Sequence, residues 1–401
     1  MRPGCALHNG LRYNPRRRGG SGVWTVGGVE VAPSMTSFVE SCVVAVTGSA
    51  QKVERRSRGR PKAKRLIKLL SNRRRILVTT HIHPDPDALA SAQAMAFLLR
   101  EKLPGARIEM AIKGQIAGGI NEAFAKHSDL RIEPWPDTPA KLAEYDGFVL
   151  LDCQPPFSYN PLPADVQIDA VIDHHRSRGR KPHCGFCDVR TDVGATSSIV
   201  FSYFMELEVG IPRLLAASLL YAVESDLAGA AGTPGELDNI ALAGLTLMAD
   251  AKTLYKMRYV KLSQSYFSVF AEGLQSAVIY DGAVVSHLSE IDSLEKPAVL
   301  ADTLLRYDHA VWSLVTAPHR DRVMASLRTS SPTLMAADVM QKMLRGIGEG
   351  GGHRAKAGGS VLLKEGTAAE IEKVRTTLRR RFLRAVGMGK ARANRLVPPK
   401  P

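Results

Sequence analysis

The sequence predicts an α/β protein with a parallel, doubly wound N-terminal sheet domain, a smaller α/β C-terminal domain and an active-site cleft between them. Three observations predict it. From residue 76 onward, short apolar runs alternate with Ala- and Leu-rich helical segments, the pattern of repeated strand–helix–strand units. Three of those runs end in ligand-type side chains: residues 76–80 lead into His81, residues 148–151 into Asp152, and residues 170–172 into Asp173-His174-His175. Past residue 270 the pattern changes to longer strand-like runs, a glycine-rich stretch and a last amphipathic helix. A chain of 401 residues accommodates two such domains with tails.

Charge is unevenly spread. Residues 1–75 hold 17 of the 54 Lys and Arg but 3 of the 39 Asp and Glu, leaving 37 bases against 36 acids in the rest. The high isoelectric point therefore describes the N-terminal segment, and charge gives no reason to read the body as a duplex-DNA binder. Five scattered cysteines point to a reducing compartment, not to a disulfide framework. No apolar run approaches the about 18 residues that span a bilayer. Residues 1–20 lack the apolar segment of a signal peptide, so a cytoplasmic protein without a membrane partner is expected.

Taken in order, residues 1–60 are basic, Gly-rich and weakly periodic. They are expected to be a disordered extension, with contact to RNA as the alternative role. Residues 61–236 are expected to form the first domain, which carries the ligand-type side chains. Leu66, Ile67, Leu69 and Leu70 among bases predict a short amphipathic helix ahead of the first strand. Residues 76–80 are a strand, 89–102 a helix, 107–112 a strand and 184–189 an edge strand. Thr196 or Ser197 caps a helix running to about Glu206, and a further helix over 214–224 ends near Asp226. Residues 237–270, almost without Pro or Gly, read as a helical connector.

Residues 271–387 are expected to form the second α/β domain. Strands are expected over 277–288, 310–316, 322–328 and 360–363, and helices over 336–344 and 368–386. The glycine-rich stretch between them reads as a loop, and the tail, 388–401, as disordered. Trp312 and Phe148 read as core.

The densest chemistry lies on the Pro-containing turn after the first strand, which carries His81, His83, Asp85 and Asp87. Imidazole mixed with carboxylate favours Mn²⁺, Mg²⁺, Fe or Zn²⁺. In a parallel sheet all strand C-termini open on one edge, so these side chains can meet Asp152, Asp173, His174 and His175, with Asp226 as a further carboxylate. So many ligands exceed the need of one ion and suit two metals sharing a bridging carboxylate.

These residues carry a specific resemblance. His81-x-His83-Pro84-Asp85-x-Asp87-Ala88, Leu151-Asp152, Asp173-His174-His175 and Gly194-Ala195-Thr196-Ser197 stand in the order and spacing of the DHH phosphoesterase superfamily. Gly350-Gly351-Gly352-His353-x-x-x-Ala357-Gly358-Gly359 resembles the signature of the DHH-associated C-terminal domain. The arrangement is similar to the compact bacterial oligoribonucleases (nano-RNases) that also dephosphorylate 3′-phosphoadenosine 5′-phosphate.

The resemblance implies His81 and Asp85 on a first Mn²⁺, Asp87, His174 and Asp226 on a second, and Asp152 bridging the two; Mg²⁺ or another divalent ion is the alternative. It implies catalytic roles for Asp152, for Asp173 as the group that orients a ligand, and for His175 facing the metals or the phosphate. Arg328 and His353 would hold the substrate's phosphate or terminal nucleotide, with Gly350, Gly351 and Gly352 letting the backbone approach it. His83 stands where the family usually has Asn and would donate a hydrogen bond to a phosphate or a ligand.

The expected activity is two-metal hydrolysis of phosphodiester or phosphomonoester bonds in short oligonucleotides such as pApA, and in 3′-phosphoadenosine 5′-phosphate. A cyclic-dinucleotide phosphodiesterase is the first alternative. A family II pyrophosphatase and a nucleotide-binding sensor without turnover come behind it. The expected partners are short RNA or a nucleotide as substrate, with a homodimer as one option for assembly.

Overall fold

The computed structural model describes residues 11–14, 23–26, 29–31, 46, 62–116, 119–157, 159–176, 184–228, 234–331, 333–352 and 354–398. In the N-terminal segment β1 (Leu11–Asn14), β2 (Val23–Val26) and β3 (Val29–Val31) pair as a small antiparallel sheet. The remainder of the segment expected to be disordered lies outside the described residues, apart from residue 46.

The first domain is built on β4 (Arg75–Thr79), β5 (Arg107–Met110), β6 (Gly147–Leu151), β7 (Ala170–Asp173) and β8 (Phe186–Val189). They form one sheet in the order β5-β4-β6-β7-β8, every neighbouring pair parallel. Successive side chains point to opposite faces. Ile76, Val78, Val149, Leu151, Ala170 and Ile172 enter one core, while Leu77, Phe148, Leu150 and Val171 enter the other.

The first core is closed by α1 (Lys62–Leu70), α2 (Pro86–Lys102), α5 (Thr196–Leu207), α6 (Arg213–Leu227) and α7 (Glu236–Met248), with α3 (Ile120–His127) beside α2. The opposite face carries α4 (Pro139–Leu142) and the loops around Tyr145 and Leu162. Such burial on both faces explains why the strands read as unbroken apolar runs.

One buried polar knot ties α1 to the edge of this sheet. Asp188 on β8 pairs with Lys62 and with Arg190 (2.7 Å) and accepts the Tyr203 hydroxyl at 2.7 Å. Burial pushes its carboxyl up, but Arg190 and Lys62 outweigh burial and hold it at about 2. Asp188→Ala would remove the carboxylate that two buried cations share, and we expect a loss of about 3–5 kcal/mol in urea unfolding at neutral pH. Because the folded-state value lies below the ordinary one, this stabilisation is present above the usual carboxylate range. It is lost as pH falls toward about 2.

The region expected as one long connector is three helices: α7, α8 (Ala251–Arg258) and α9 (Gln264–Ser276). Asp250 makes the first break, its side chain accepting the Thr253 N–H at 2.8 Å as an N-cap.

The second domain holds a seven-stranded sheet of β9 (Val278–Tyr280), β10 (Ala283–His287), β11 (Trp312–His319), β12 (Arg322–Thr329), β13 (Glu349–Gly352), β14 (Lys356–Leu362) and β15 (Ala393–Arg395). Its order is β13-β14-β12-β11-β10-β9-β15, with β10 and β11 parallel and the other pairs antiparallel. α10 (Lys296–Leu304) packs with α9 on one face; α11 (Ala336–Leu344) and α12 (Ala368–Ala385) cover the other, around Trp312 and Phe382.

Three expectations change here. Residues 277–288 are a hairpin, not one strand, turning at Asp281, whose φ is 52°, and Gly282. The glycine-rich stretch is strand β13, not a loop, and the tail supplies β15 on β9. Phe148 and Trp312 are buried, as core residues should be.

The two domains touch at Gly119. Its φ is 75°, and a Cβ there would fall on the Tyr266 hydroxyl and the Glu295 carboxylate. Glu295 accepts the N–H groups of Ile120 (2.9 Å) and Asn121 (3.3 Å), capping α3 from across the domain boundary. Among the described residues no helix is long and apolar enough to cross a membrane.

Candidate metal centre

Strand order reverses between β4 and β6, and open α/β sheets bind ligands at the carboxyl ends of the strands flanking such a reversal. The chain leaves β4 through Thr80, turns at His83, where φ is 57°, and enters α2 at Pro86. Asp85 caps that helix, accepting the Ala88 N–H at 3.1 Å. Asp87, fully buried in its first turn, meets the N-terminus of α5: its two oxygens accept the N–H groups of Thr196 (2.7 Å) and Ser197 (2.9 Å).

Asp152 follows β6 with φ at 54°, a left-handed backbone that costs a non-glycine residue about 1–3 kcal/mol. Its Oδ1 accepts the Thr196 hydroxyl at 2.7 Å. Its Oδ2 lies 3.7 Å from His81 Nε2, while Oδ1 lies 3.5 Å from His174 Nε2. His174 Nδ1 sits 3.3 Å from the Val193 carbonyl, which favours the tautomer with the proton on Nδ1 and leaves Nε2 as the ligand atom. That Nε2 is 3.3 Å from Asp226 Oδ2.

Asp173 is an organiser. It accepts the backbone N–H of His174 (2.8 Å) and of His175 (3.2 Å), meets His175 Nδ1 at 2.6 Å, and takes an N–H from Gln154 at 2.6 Å. Burial disfavours the His175 imidazolium, but Asp173 and Asp152 outweigh burial and push its pKa up to about 10.

Among the described residues three donor groups emerge, each with its ligand atoms within 4.8 Å of one another: His81, Asp85 and Asp152; Asp87, His174 and Asp226; and Asp152, His174 and His175. The carboxylates strain against one another. Burial and the charges of Asp152, Asp226 and Asp85 drive Asp87 well above the carboxylate range. Burial also lifts Asp226, although Lys356 opposes it. Burial pushes Asp85 up too, but His81 and the Ala88 N–H outweigh it and hold the group low. Oxygen and imidazole donors that repel one another in a dry pocket fit divalent cations, and the first two groups fit one ion each.

His83 is exposed, and its Nδ1 accepts the Gln115 N–H at 3.2 Å. Arg328 is buried, with Nε on Asp302 at 2.7 Å and Nη1 on the Leu327 carbonyl. Gly350 and Gly352 have a packing reason: a Cβ at Gly350 would fall on Leu344 and Gly358, and one at Gly352 on Lys356 and Ala357. Gly351 faces open space, and His353 lies outside the described residues.

Sequence reasoning missed Lys356, which reaches Asp226 from the second domain, and Gln154, which steadies Asp173. The available signal for Lys356 was a basic residue inside a glycine-rich signature.

Known proteins resemble this chain in sequence and in fold. Residues 75–223 match the model of the DHH family, N-terminal domain. An uncharacterized protein of Methanocaldococcus jannaschii is 28% identical over 290 residues, covering 72% of this chain and 58% of that protein. A probable manganese-dependent inorganic pyrophosphatase of Lactiplantibacillus plantarum is 30% identical over 176 residues, 43% of this chain and 55% of its own length. The chain thus spans little more than half of these curated relatives. Among solved structures, an exopolyphosphatase-related protein from Bacteroides fragilis superposes with a TM-score of 0.63 at 16% identity, over 81% of this chain and 97% of that one, which shows a shared fold.

Proposed function

We propose that this chain, whose residues 75–223 form a DHH-family N-terminal domain, is a divalent-metal-dependent phosphoesterase acting on short oligonucleotides such as pApA and on 3′-phosphoadenosine 5′-phosphate. The observation that carries the reading is Asp152, whose two oxygens turn toward different ligand groups, one toward His81 and one toward His174. His81, Asp85 and Asp152 would hold one ion and Asp87, His174 and Asp226 the other, with Asp152 beside the second group through its approach to His174. Such ions, when bound, supply Lewis-acid stabilisation of a phosphoryl group and a more acidic water. Likeness to a probable manganese-dependent enzyme supports Mn²⁺ as the resident ion.

The protein's own residues do the positioning. Thr196 fixes Asp152, the α5 N-terminus fixes Asp87, and Asp173 with Gln154 orients His175 beside the cluster. Arg328 and His353 remain the proposed holders of the terminal nucleotide.

Likeness to a pyrophosphatase favours a second reading, but it spans 43% of this chain and speaks more to the metal than to the substrate. A parallel turnover assay with Mn²⁺ tests the choice, using pApA, 3′-phosphoadenosine 5′-phosphate, cyclic di-AMP and pyrophosphate. The expected result is release of AMP from pApA at the highest kcat/KM. Turnover of pyrophosphate with pApA left intact would replace this reading by the second.

A further inference from the structure

Lys356 opens β14 in the second domain, yet its ammonium lies at the metal centre of the first. Its Nζ donates to the Ser225 carbonyl at 2.7 Å and stands 3.8 Å from Asp226 Oδ1. The strand that carries it is held in register on both sides. Lys356 pairs with Arg328 on β12, and the next residue, Ala357, pairs with Gly352 on β13. The neighbouring Arg328 has its Nε on Asp302, while Lys356 is a cation that this part of the sheet directs to the ligand cluster.

Charge balance says what such a cation does. Asp85, Asp87, Asp152 and Asp226 carry four negative charges when ionised, and two divalent ions offset all four. The ammonium is then surplus at the mouth of the cluster. A backbone carbonyl gives it a hydrogen bond but no opposing charge, whereas an anionic phosphate oxygen supplies both. The side chain is 25% exposed, on a flexible stem that can turn from Ser225 to a ligand entering between the domains.

We propose that Lys356 is a substrate-contacting residue that binds a phosphate oxygen at the metal centre, and that its charge also competes with the cation held by Asp226. The proposal rests on the metal-dependent phosphoesterase reading and adds the second domain's own contact with the phosphoryl group.

Titration calorimetry on the full chain tests it without turnover. Mn²⁺ alone is titrated first, then inorganic phosphate into the Mn²⁺-loaded protein, for wild type, Lys356→Met and Lys356→Arg, with melting curves as the check on folding. Lys356→Met should bind Mn²⁺ more tightly than wild type and lose about tenfold or more in phosphate affinity, and Lys356→Arg should recover most of that loss. Unchanged phosphate affinity in a folded Lys356→Met would overturn the proposal. So would weakened Mn²⁺ binding, or a wild type that binds no phosphate. A wild type that binds phosphate through Lys356 but leaves pApA intact would remove the substrate assignment and keep this contact.

Discussion

Under the proposed function, Asp152→Ala will lose Mn²⁺-dependent phosphoesterase turnover by more than about 100-fold, because removing even an outer partner of a metal ligand costs about 10–100-fold. Asp152 is the carboxylate that both principal ligand groups approach, so its loss weakens two ion sites at once. Thr196→Val is the graded comparison. It removes the hydroxyl that holds Asp152 Oδ1 at 2.7 Å and leaves the ligand in place, so a loss of about 10–100-fold is expected. Steady-state kcat/KM on pApA, with Mn²⁺ stoichiometry measured alongside, reads both. Equal losses in the two variants would deny Asp152 its shared role.

The second large effect is on stability. Mn²⁺ added to metal-stripped protein should raise the melting temperature of the first domain by about 5–10 °C for each site filled at a hundred times its Kd, since binding at that excess adds about 2.7 kcal/mol. The physical source is the buried carboxylate cluster, in which Asp87 and Asp226 are both driven upward by burial and neighbouring charge. A divalent ion removes that repulsion, and a chelator restores it. Asp87→Asn relieves part of the repulsion and deletes a ligand, so it should melt near or above the metal-stripped wild type and respond less to Mn²⁺. Differential scanning calorimetry with and without chelator measures this; an Mn²⁺ response in Asp87→Asn as large as in wild type would exclude Asp87 as a ligand.

Much of the first domain was legible because its strands are buried on both faces. The runs ending at Thr79, Leu151 and Asp173 are apolar without interruption, and a parallel sheet requires that. The ligand cluster was legible for a related reason: parallel strands send their C-terminal residues to one edge, so His81, Asp152 and His174 meet although they are far apart in the chain.

The errors fall where tertiary pairing overrides local preference. Glycines carry no strand propensity, and Glu349–Gly352 becomes a strand because β14 lies beside it and a Cβ at Gly350 or Gly359 would not fit. Ala393–Arg395 is a strand only because β9 offers an open edge. Two breaks were readable and went unread: Asp281-Gly282 is a hairpin turn, and Asp250 is a helix cap. The approach of Lys356 to Asp226 depends on how the two domains pack, and local sequence carries no record of that.

The central claim is a pair of ions flanking Asp152, and anomalous diffraction from crystals grown with Mn²⁺ tests it most directly. The account predicts two peaks, one among His81, Asp85 and Asp152 and one among Asp87, His174, Asp226 and Asp152. A single peak, or peaks away from Asp152, would contradict it.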